Sequence, residues 1–302
     1  MVKMYKKSNI FGIVGSGKKK NELIIWDEKL EKDIYKYSFK KKILNLELTE
    51  DNIVVVCKTT IYVFNLQNFQ LVDVIKTGPN PEGLVGVNHN EMKIIVYPSK
   101  EDSQGKLTIK NYKSKNYLYF FPAEKKGEFD CFTLSYDGLF LATLEKGSDT
   151  IRIYNCSNGK LWYELTIPNG NSNNLTKKCI SISPKNDLII YSHNKGEIAI
   201  FSLKRAKMQA KKENIPEDEY NLVIDKEVSN DHGKKWFKKI EKPFIRMLTK
   251  SDLEYEFIKI DDKDNKKGFL FIVDSNGKLY KYKLDLDKKE DSLDVCYSLF
   301  EN

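Results

Sequence analysis

Clustered lysines are the residues of this sequence that stand out most for the binding chemistry they could perform. Three are consecutive at residues 18–20, and three more at residues 40–42. Lysine ammonium groups attract anionic surfaces, at about 1 kcal/mol for each lysine near an anionic bilayer, and they also bind nucleic-acid phosphates. Taken alone, each run is more typical of a solvated loop between strands, so we keep both interpretations.

A second basic segment combines lysines with aromatic side chains. Inside a long stretch at residues 204–242, the last basic cluster reads Lys234, Lys235, Trp236, Phe237, Lys238 and Lys239. Such a stretch is far longer than an ordinary connection between strands. Its lysines suit anionic head groups, while Trp236 and Phe237 suit the acyl boundary of a bilayer. A solvated loop without a membrane role fits the same composition, and the sequence favours neither interpretation.

Catalytic and metal-binding chemistry finds little support in the sequence. The five cysteines are far apart and include no Cys-x-x-Cys pair, and His89, His193 and His232 lack the spacing of metal ligands. The motifs of phosphate-binding loops, serine hydrolases, zinc proteases and kinases do not occur. We therefore predict no catalytic residue, no metal and no cofactor, and we interpret the cysteines as small core residues in a reducing compartment.

Composition predicts a folded protein without a membrane span. The chain has 302 residues, of which 40% are hydrophobic and 12% aromatic, enough to build a core. Its longest apolar runs have about five residues, whereas a spanning helix needs about 18. No apolar segment follows the N-terminus, so we expect no signal peptide and a soluble, intracellular protein. The net charge is +8, but acidic residues alternate with basic ones and no RNA-binding motif occurs, so we expect no nucleic-acid partner.

Strands, rather than helices, must position these residues. Short β-branched or aromatic runs alternate with turn sequences such as Tyr136-Asp137-Gly138, at a spacing of about 8–12 residues. Two successive units, which begin at Phe132 and Ile180, repeat the same order of strands and turns. A period of about 40–45 residues is typical of four-stranded propeller blades. We predict an all-β propeller that forms one domain over residues 1–302, with antiparallel blades at residues 1–39, 43–77, 84–122, 130–167, 179–248 and 254–300.

Several motifs occur in a fixed order along this strand pattern. They include the glycine-rich turn Val14-Gly15-Ser16-Gly17, the turn Asn80-Pro81-Glu82-Gly83-Leu84 and the strand Ile151-Arg152-Ile153-Tyr154. These motifs resemble those of the PROPPINs, a family of WIPI-like β-propellers that bind polyphosphoinositides. The long stretch at residues 204–242 stands where that family carries its membrane-inserting loop. The resemblance covers nearly the whole chain.

The resemblance implies a non-enzymatic scaffold in autophagy and endomembrane trafficking. Such a scaffold is cytoplasmic and lies peripherally on endomembranes and autophagosome precursor membranes. Its implied partners are a phosphoinositide-containing or anionic membrane and a protein such as an autophagy lipid-transfer protein. The family has seven blades, whereas six are visible here, and the expected first blade is the one that would precede residues 1–39.

The sequence departs from the family where the head groups bind. By resemblance, two arginines should follow Leu165, each serving one phosphoinositide site, but the residues there are Thr166-Ile167-Pro168-Asn169-Gly170. An arginine fork recognises phosphate through paired hydrogen bonds that other side chains replace poorly. In the next blade, the resemblance implies Thr-Val-His where this sequence has Glu197-Ile198-Ala199, so a carboxylate that repels phosphate replaces a hydroxyl and a methyl group replaces an imidazole. Five residues of types more typical of turns and rims are left as candidates for a weaker head-group site: Lys146, Arg152, Ser192, His193 and Lys195.

Two functions stay open on this basis. The first is a PROPPIN-like scaffold that associates electrostatically with membranes, with weak or lost selectivity for phosphatidylinositol 3-phosphate and 3,5-bisphosphate. The second is a WD-repeat-type protein–protein adaptor that binds no lipid. The missing arginines, Glu197 and Ala199 favour the second function.

Overall fold

The computed structural model describes most of the first half of the chain and a set of strands in the second half. The described residues are 1–5, 8–88, 94–100, 106–112, 117–120, 128–156, 159–167, 178–183, 185–193, 197–203, 238–240, 245–248, 253–254, 267–274, 278–285 and 290–298. They belong to two compact units, Met1–Gly127 and Glu128–Asn302.

Within its described residues, the first unit contains three four-stranded antiparallel sheets, each made of consecutive strands. Sheet 1 consists of β1 to β4, at Val2–Met4, Ile10–Val14, Glu22–Asp27 and Lys32–Ser38. Sheet 2 consists of β5 to β8, at Ile43–Leu48, Asn52–Cys57, Thr60–Asn65 and Leu71–Lys76. Sheet 3 consists of β9 to β12, at Gly86–Val87, Ile94–Pro98, Leu107–Asn111 and Tyr117–Phe120.

The described strands of the second unit form three further sheets. Sheet 4 consists of β13 to β16 and β20, at Phe129–Leu134, Phe140–Glu145, Thr150–Asn155, Leu161–Thr166 and Lys238–Ile240. Sheet 5 consists of β17, β18, β19 and β21, at Cys179–Ile182, Leu188–Ser192, Glu197–Ser202 and Ile245–Leu248. Sheet 6 consists of β22 to β25, at Leu253–Glu254, Lys267–Asp274, Lys278–Asp285 and Glu290–Ser298.

Each predicted blade coincides with one of these sheets, so the prediction of antiparallel four-stranded blades is confirmed. Strand β20 is an addition that the sequence did not predict, because it pairs in parallel with β16 as a fifth strand of sheet 4. That residues 1–302 form one domain stays a prediction.

Strand β6 shows why the sheets stack against one another. All six of its residues are buried, and alternate side chains of a strand point to opposite faces. On one face, Val55 shares a core cluster with Leu23 of sheet 1; on the other, Val56 shares a cluster with Ile95 of sheet 3. A strand that is apolar on both faces is typical of a middle layer, which explains why β6 lacks a polar alternation.

The second unit has an equivalent core between sheets 4 and 5. One cluster joins Leu144 and Ile153 of sheet 4 to Ile189 and Tyr191 of sheet 5. Trp162 packs at the edge of this cluster, with its ring centroid 4.8 Å from that of Phe140. This contact agrees with a packing role for Trp162, and the stacked sheets bring their turns to common ends.

Candidate functional site

Three of the predicted head-group residues lie at one end of sheets 4 and 5. Lys146 directly follows β14, while Ser192 ends β18 and His193 comes next. At this end an ion pair joins β13 to the residue before β17, with 2.6 Å between Lys178 Nζ and Asp130 Oδ2. The structure thus brings Lys146, Ser192 and His193 to the same end of adjacent sheets.

Arg152 is held inside sheet 4 by two carboxylates. It lies opposite Thr143 on β14 and Glu164 on β16. Its Nε donates to Glu164 Oε1 at 3.0 Å, and its Nη1 donates to Glu145 Oε1 at 3.1 Å. The arginine side chain is 7% exposed, and that of Glu145 is 1% exposed. Because a buried charge requires a partner, this geometry supports a structural role for Arg152. A head group would have to compete with both carboxylates, and the predicted head-group role stays a prediction.

Lys146 is held much less firmly. Its Nζ lies 2.8 Å from Glu128 Oε2, and the two side chains are 45% and 56% exposed. Exposed pairs of this kind contribute about 0–1 kcal/mol to stability. Lys146 can therefore exchange its carboxylate for another anion at little cost, as the sequence-based hypothesis requires.

Ser192 and His193 are buried at the end of β18. Ser192 is fully buried, with Cys179 and Ile198 as its cross-strand neighbours, and its Oγ has no hydrogen-bond partner within the described part of the chain. The His193 ring lies 5.9 Å from that of Tyr191. A buried hydroxyl without a partner is uncommon, so this end of β18 presents a polar atom with unused hydrogen-bonding capacity. Lys195, farther along, lies outside the described residues.

The residues that replace the arginine signature belong to the sheet and its core. Thr166 is the last residue of β16 and lies opposite Thr150. Ile167 is 3% exposed, and its N–H donates to the carbonyl of Asp149 at 2.7 Å. In the next blade, Ala199 is fully buried in the core between sheets 4 and 5. None of these three replacement side chains offers a cation for a phosphate.

Most of the predicted membrane-contact segment lies outside the described residues, including Lys234, Lys235, Trp236 and Phe237. The backbone of the last two lysines is described. Lys238 and Lys239 belong to β20, where they lie opposite Tyr163 and Glu164 of β16. The end of the long stretch is therefore attached to the outer edge of sheet 4 by backbone pairing.

Sequence reasoning missed the carboxylate partners of Arg152. Glu145 ends β14 and Glu164 lies in the middle of β16, so they are 19 residues apart in the chain. The cross-strand register could have indicated these partners, because opposite charges on neighbouring strands of one sheet stabilise each other when their side chains lie on the same face. That register places Arg152 between the two glutamates.

Within the described residues, other chemistry is sparse. They contain no group of three His, Cys, Asp or Glu side chains placed to hold a metal ion, and no helix that could cross a membrane. Burial raises the pKa of the Cys57 thiol to about 11, and it also raises the pKa values of Cys131 and Cys156. These thiols stay protonated near neutral pH, which makes them poor nucleophiles.

Comparison with known proteins supports the same fold and family. The PROPPIN family model matches residues 2–220. The chain is 31% identical over 164 residues to autophagy-related protein 18e of Arabidopsis thaliana, covering 52% of this chain and 43% of that protein. It is 26% identical over 205 residues to SVP1-like protein 2 of Emericella nidulans, covering 66% of this chain and 62% of that protein. The chain thus spans about half the length of the curated relatives it matches.

Solved structures resemble the fold over nearly the whole chain. Hsv2p of Kluyveromyces lactis superposes with a TM-score of 0.70 at 18% identity, covering 99% of this chain and 86% of that one. KlAtg21, in its complex with the coiled-coil of AgAtg16, superposes with a TM-score of 0.74 at 15% identity, covering 99% and 84%. At these identities the likeness shows the fold, which is that of a β-propeller.

Proposed function

Because this chain belongs to the PROPPIN family, we propose that it is a non-enzymatic scaffold in autophagy and endomembrane trafficking. It associates peripherally with phosphoinositide-containing or anionic membranes, and it is located in the cytoplasm and on autophagosome precursor membranes. The autophagy-related names of its relatives and its propeller fold support this proposal. Its surplus of positive charge supports the membrane part.

The selectivity of this scaffold for phosphoinositides is weak. The pairing of Arg152 with Glu145 and Glu164 carries this part of the proposal. Arg152 is the predicted head-group arginine of sheet 4, and its guanidinium is already bonded to these two carboxylates. The remaining candidates, Lys146 and the buried end of β18, supply one loosely held cation and one hydroxyl. Binding to membranes is therefore mostly electrostatic and depends steeply on salt.

A protein partner completes the proposed scaffold. KlAtg21 is seen in a complex with the coiled-coil of AgAtg16, and this supports recruitment of a protein by the present chain as well. By resemblance, an autophagy lipid-transfer protein is the kind of partner that we expect. Pull-down with the purified chain, followed by a test of direct binding, identifies it.

Flotation with liposomes tests the membrane part directly. One set of liposomes carries phosphatidylinositol 3-phosphate or 3,5-bisphosphate, and the other carries a charge-matched amount of phosphatidylserine. We expect flotation with both sets and a small preference for the first. A strong preference for phosphoinositides would contradict the weak selectivity, and absence of flotation with either set would contradict membrane association.

A lipid-free adaptor is the second candidate function. Two observations favour it. The buried Ala199 stands where, by resemblance, the family has an imidazole that could contact a phosphate, and the guanidinium of Arg152 is already bonded to two carboxylates. Replacing residues 206–237 by a Gly-Ser linker of equal length discriminates the two functions, and it leaves β20 in the chain. An adaptor keeps its partners and its subcellular distribution in this variant, whereas the proposed scaffold associates with membranes more weakly.

A further inference from the structure

The two lysine runs of the sequence meet in the structure. Residues 18–20 belong to the connection between β2 and β3, and residues 40–42 belong to the connection between β4 and β5. The N–H of Ile43 donates to the carbonyl of Lys20 at 2.9 Å. Asn21 also exchanges two hydrogen bonds of 2.8 Å with Phe39. Six lysines thus occupy two connections whose backbones are bonded to each other.

A third connection adds a seventh lysine. The Cys57 thiol lies 4.0 Å from the carbonyl oxygen of Lys41, and Lys58 follows in the turn between β6 and β7. We name the resulting surface the lysine end of the first unit; it consists of Lys18, Lys19, Lys20, Lys40, Lys41, Lys42 and Lys58. All seven are exposed. Their ammonium groups make no hydrogen bond or ion pair with any residue that the structure describes.

Two glycines shape the first of these connections. A Cβ on Gly15 would lie 2.5 Å from the carbonyl oxygen of Lys19, so only glycine permits this close approach. Gly17 has a φ of +55° and starts a 3-10 turn at Gly17–Lys19. The chain is therefore folded back on itself, and three exposed lysines are displayed on one tight turn.

At the opposite end of sheets 1 and 2, two connections carry an excess of negative charge. Acidic side chains gather there in and beside the connections between β3 and β4 and between β5 and β6, at Asp27, Glu28, Glu31, Asp33, Glu50 and Asp51. The described basic residues in and beside the same two connections are Lys29 and Lys32. Among the described residues of the connections compared here, positive charge is thus in excess at one end of sheets 1 and 2 and negative charge at the other, and this difference produces a directional field that a uniform mixture of charges lacks.

We infer that the lysine end is a docking surface for an anionic phospholipid bilayer. The inference rests on the proposed membrane association, and it names a contact surface separate from the stretch at residues 204–242. Lysines are compact point charges on flexible stems, and arginines, which read single phosphates through a fixed fork, do not contribute to this surface. The seven positive charges are spread over three connections, and this arrangement fits the diffuse negative charge of a bilayer. An anionic bilayer would also relieve the mutual repulsion of the seven lysines.

A pair of charge-matched double variants tests this inference. Lys19→Gln with Lys41→Gln removes two charges from the lysine end, and Lys29→Gln with Lys32→Gln removes two exposed lysines from the opposite end. Each lysine near an anionic bilayer strengthens binding about fivefold. We therefore expect the first variant to bind phosphatidylserine vesicles about 25-fold more weakly than the unsubstituted chain at about 0.1 M salt, and the control to change less than about threefold.

Flotation and thermal unfolding of both variants give distinguishable outcomes. Equal losses in the two variants, or no loss in either, would overturn the inference while leaving the proposed membrane association intact. Absence of vesicle binding by the unsubstituted chain would overturn both. Binding of single-stranded RNA that depends on Lys19 and Lys41 and exceeds vesicle binding would assign the surface to nucleic acid instead. Since all four substituted lysines are exposed, we expect unchanged melting temperatures.

Discussion

Arg152 in sheet 4 and the lysine end of the first unit carry positive charge in opposite environments. The guanidinium of Arg152 is buried and bonded to Glu145 and Glu164. The lysines are exposed, and their described surroundings contain no carboxylate bonded to them. A charge whose partners are built into the sheet stabilises that sheet, whereas a charge without such partners keeps its attraction for a ligand. The partners of a charge therefore indicate its role better than its position in a family motif does.

The largest effect that this comparison predicts is the loss of stability on removal of the buried arginine. Arg152→Ala leaves Glu145 and Glu164 without their shared partner inside the sheet, and breaking such a buried pair costs about 3–5 kcal/mol. We expect a decrease of that size in the free energy of unfolding, measured by urea denaturation of the whole chain. Substitution of Lys19 by alanine in parallel should change the same quantity by less than about 0.5 kcal/mol.

A rescue variant makes the first prediction sharper. Arg152→Met combined with Glu145→Gln and Glu164→Gln removes the charges together, and we expect it to recover part of the stability lost in Arg152→Ala. A variant at Arg152 that keeps its stability but no longer floats with phosphoinositide liposomes would break the comparison. Such a result would assign Arg152 a role in ligand binding rather than in the stability of sheet 4.

The second prediction concerns the backbone that displays the lysines. Gly15→Ala places a methyl group against the carbonyl of Lys19, so the turn must shift. Overpacking of this kind costs about 1–3 kcal/mol, and we expect the displaced lysines to weaken vesicle binding as well. Both effects are measured on one preparation, by denaturation and by flotation. Gly17→Asn is the control, because asparagine tolerates a positive φ; an equally large loss in this control would show that any change in the turn is harmful.

The repeated strands could be predicted from the sequence, but the contacts between them could not. Runs such as β6 are β-branched and bounded by turn residues, and these local signals place them correctly. Strand β20 has three residues, is basic and pairs in parallel, so it has no such signal. The backbone hydrogen bond between Ile43 and Lys20 depends on how β2 to β5 are arranged, and a single run of lysines does not contain that information.

The third prediction separates the two regions by salt. Between about 0.1 and 0.5 M salt the Debye length falls from about 10 Å to a few ångströms, which screens exposed charges far more than buried ones. We expect binding to phosphatidylserine vesicles to weaken at least tenfold. Over the same range, the free energy of unfolding should change by less than about 1 kcal/mol, because Arg152 and its partners are shielded from solvent. Vesicle binding that persists in high salt would mean that apolar insertion, rather than the lysine end, dominates.

A small effect on stability is expected for Lys146, which is exposed like the lysine end but bonded to a carboxylate like the buried Arg152. Its ion pair with Glu128 is exposed, so we expect Lys146→Ala to lower the free energy of unfolding by less than about 1 kcal/mol. If Lys146 serves a head group, the same variant lowers flotation with phosphoinositide liposomes and leaves flotation with phosphatidylserine nearly unchanged. Glu128→Gln is the matched control, since it releases the lysine and should keep or raise the phosphoinositide preference. A fall in flotation with Glu128→Gln equal to that with Lys146→Ala would instead show that the ion pair itself matters, and Lys146 would then join Arg152 as a structural charge.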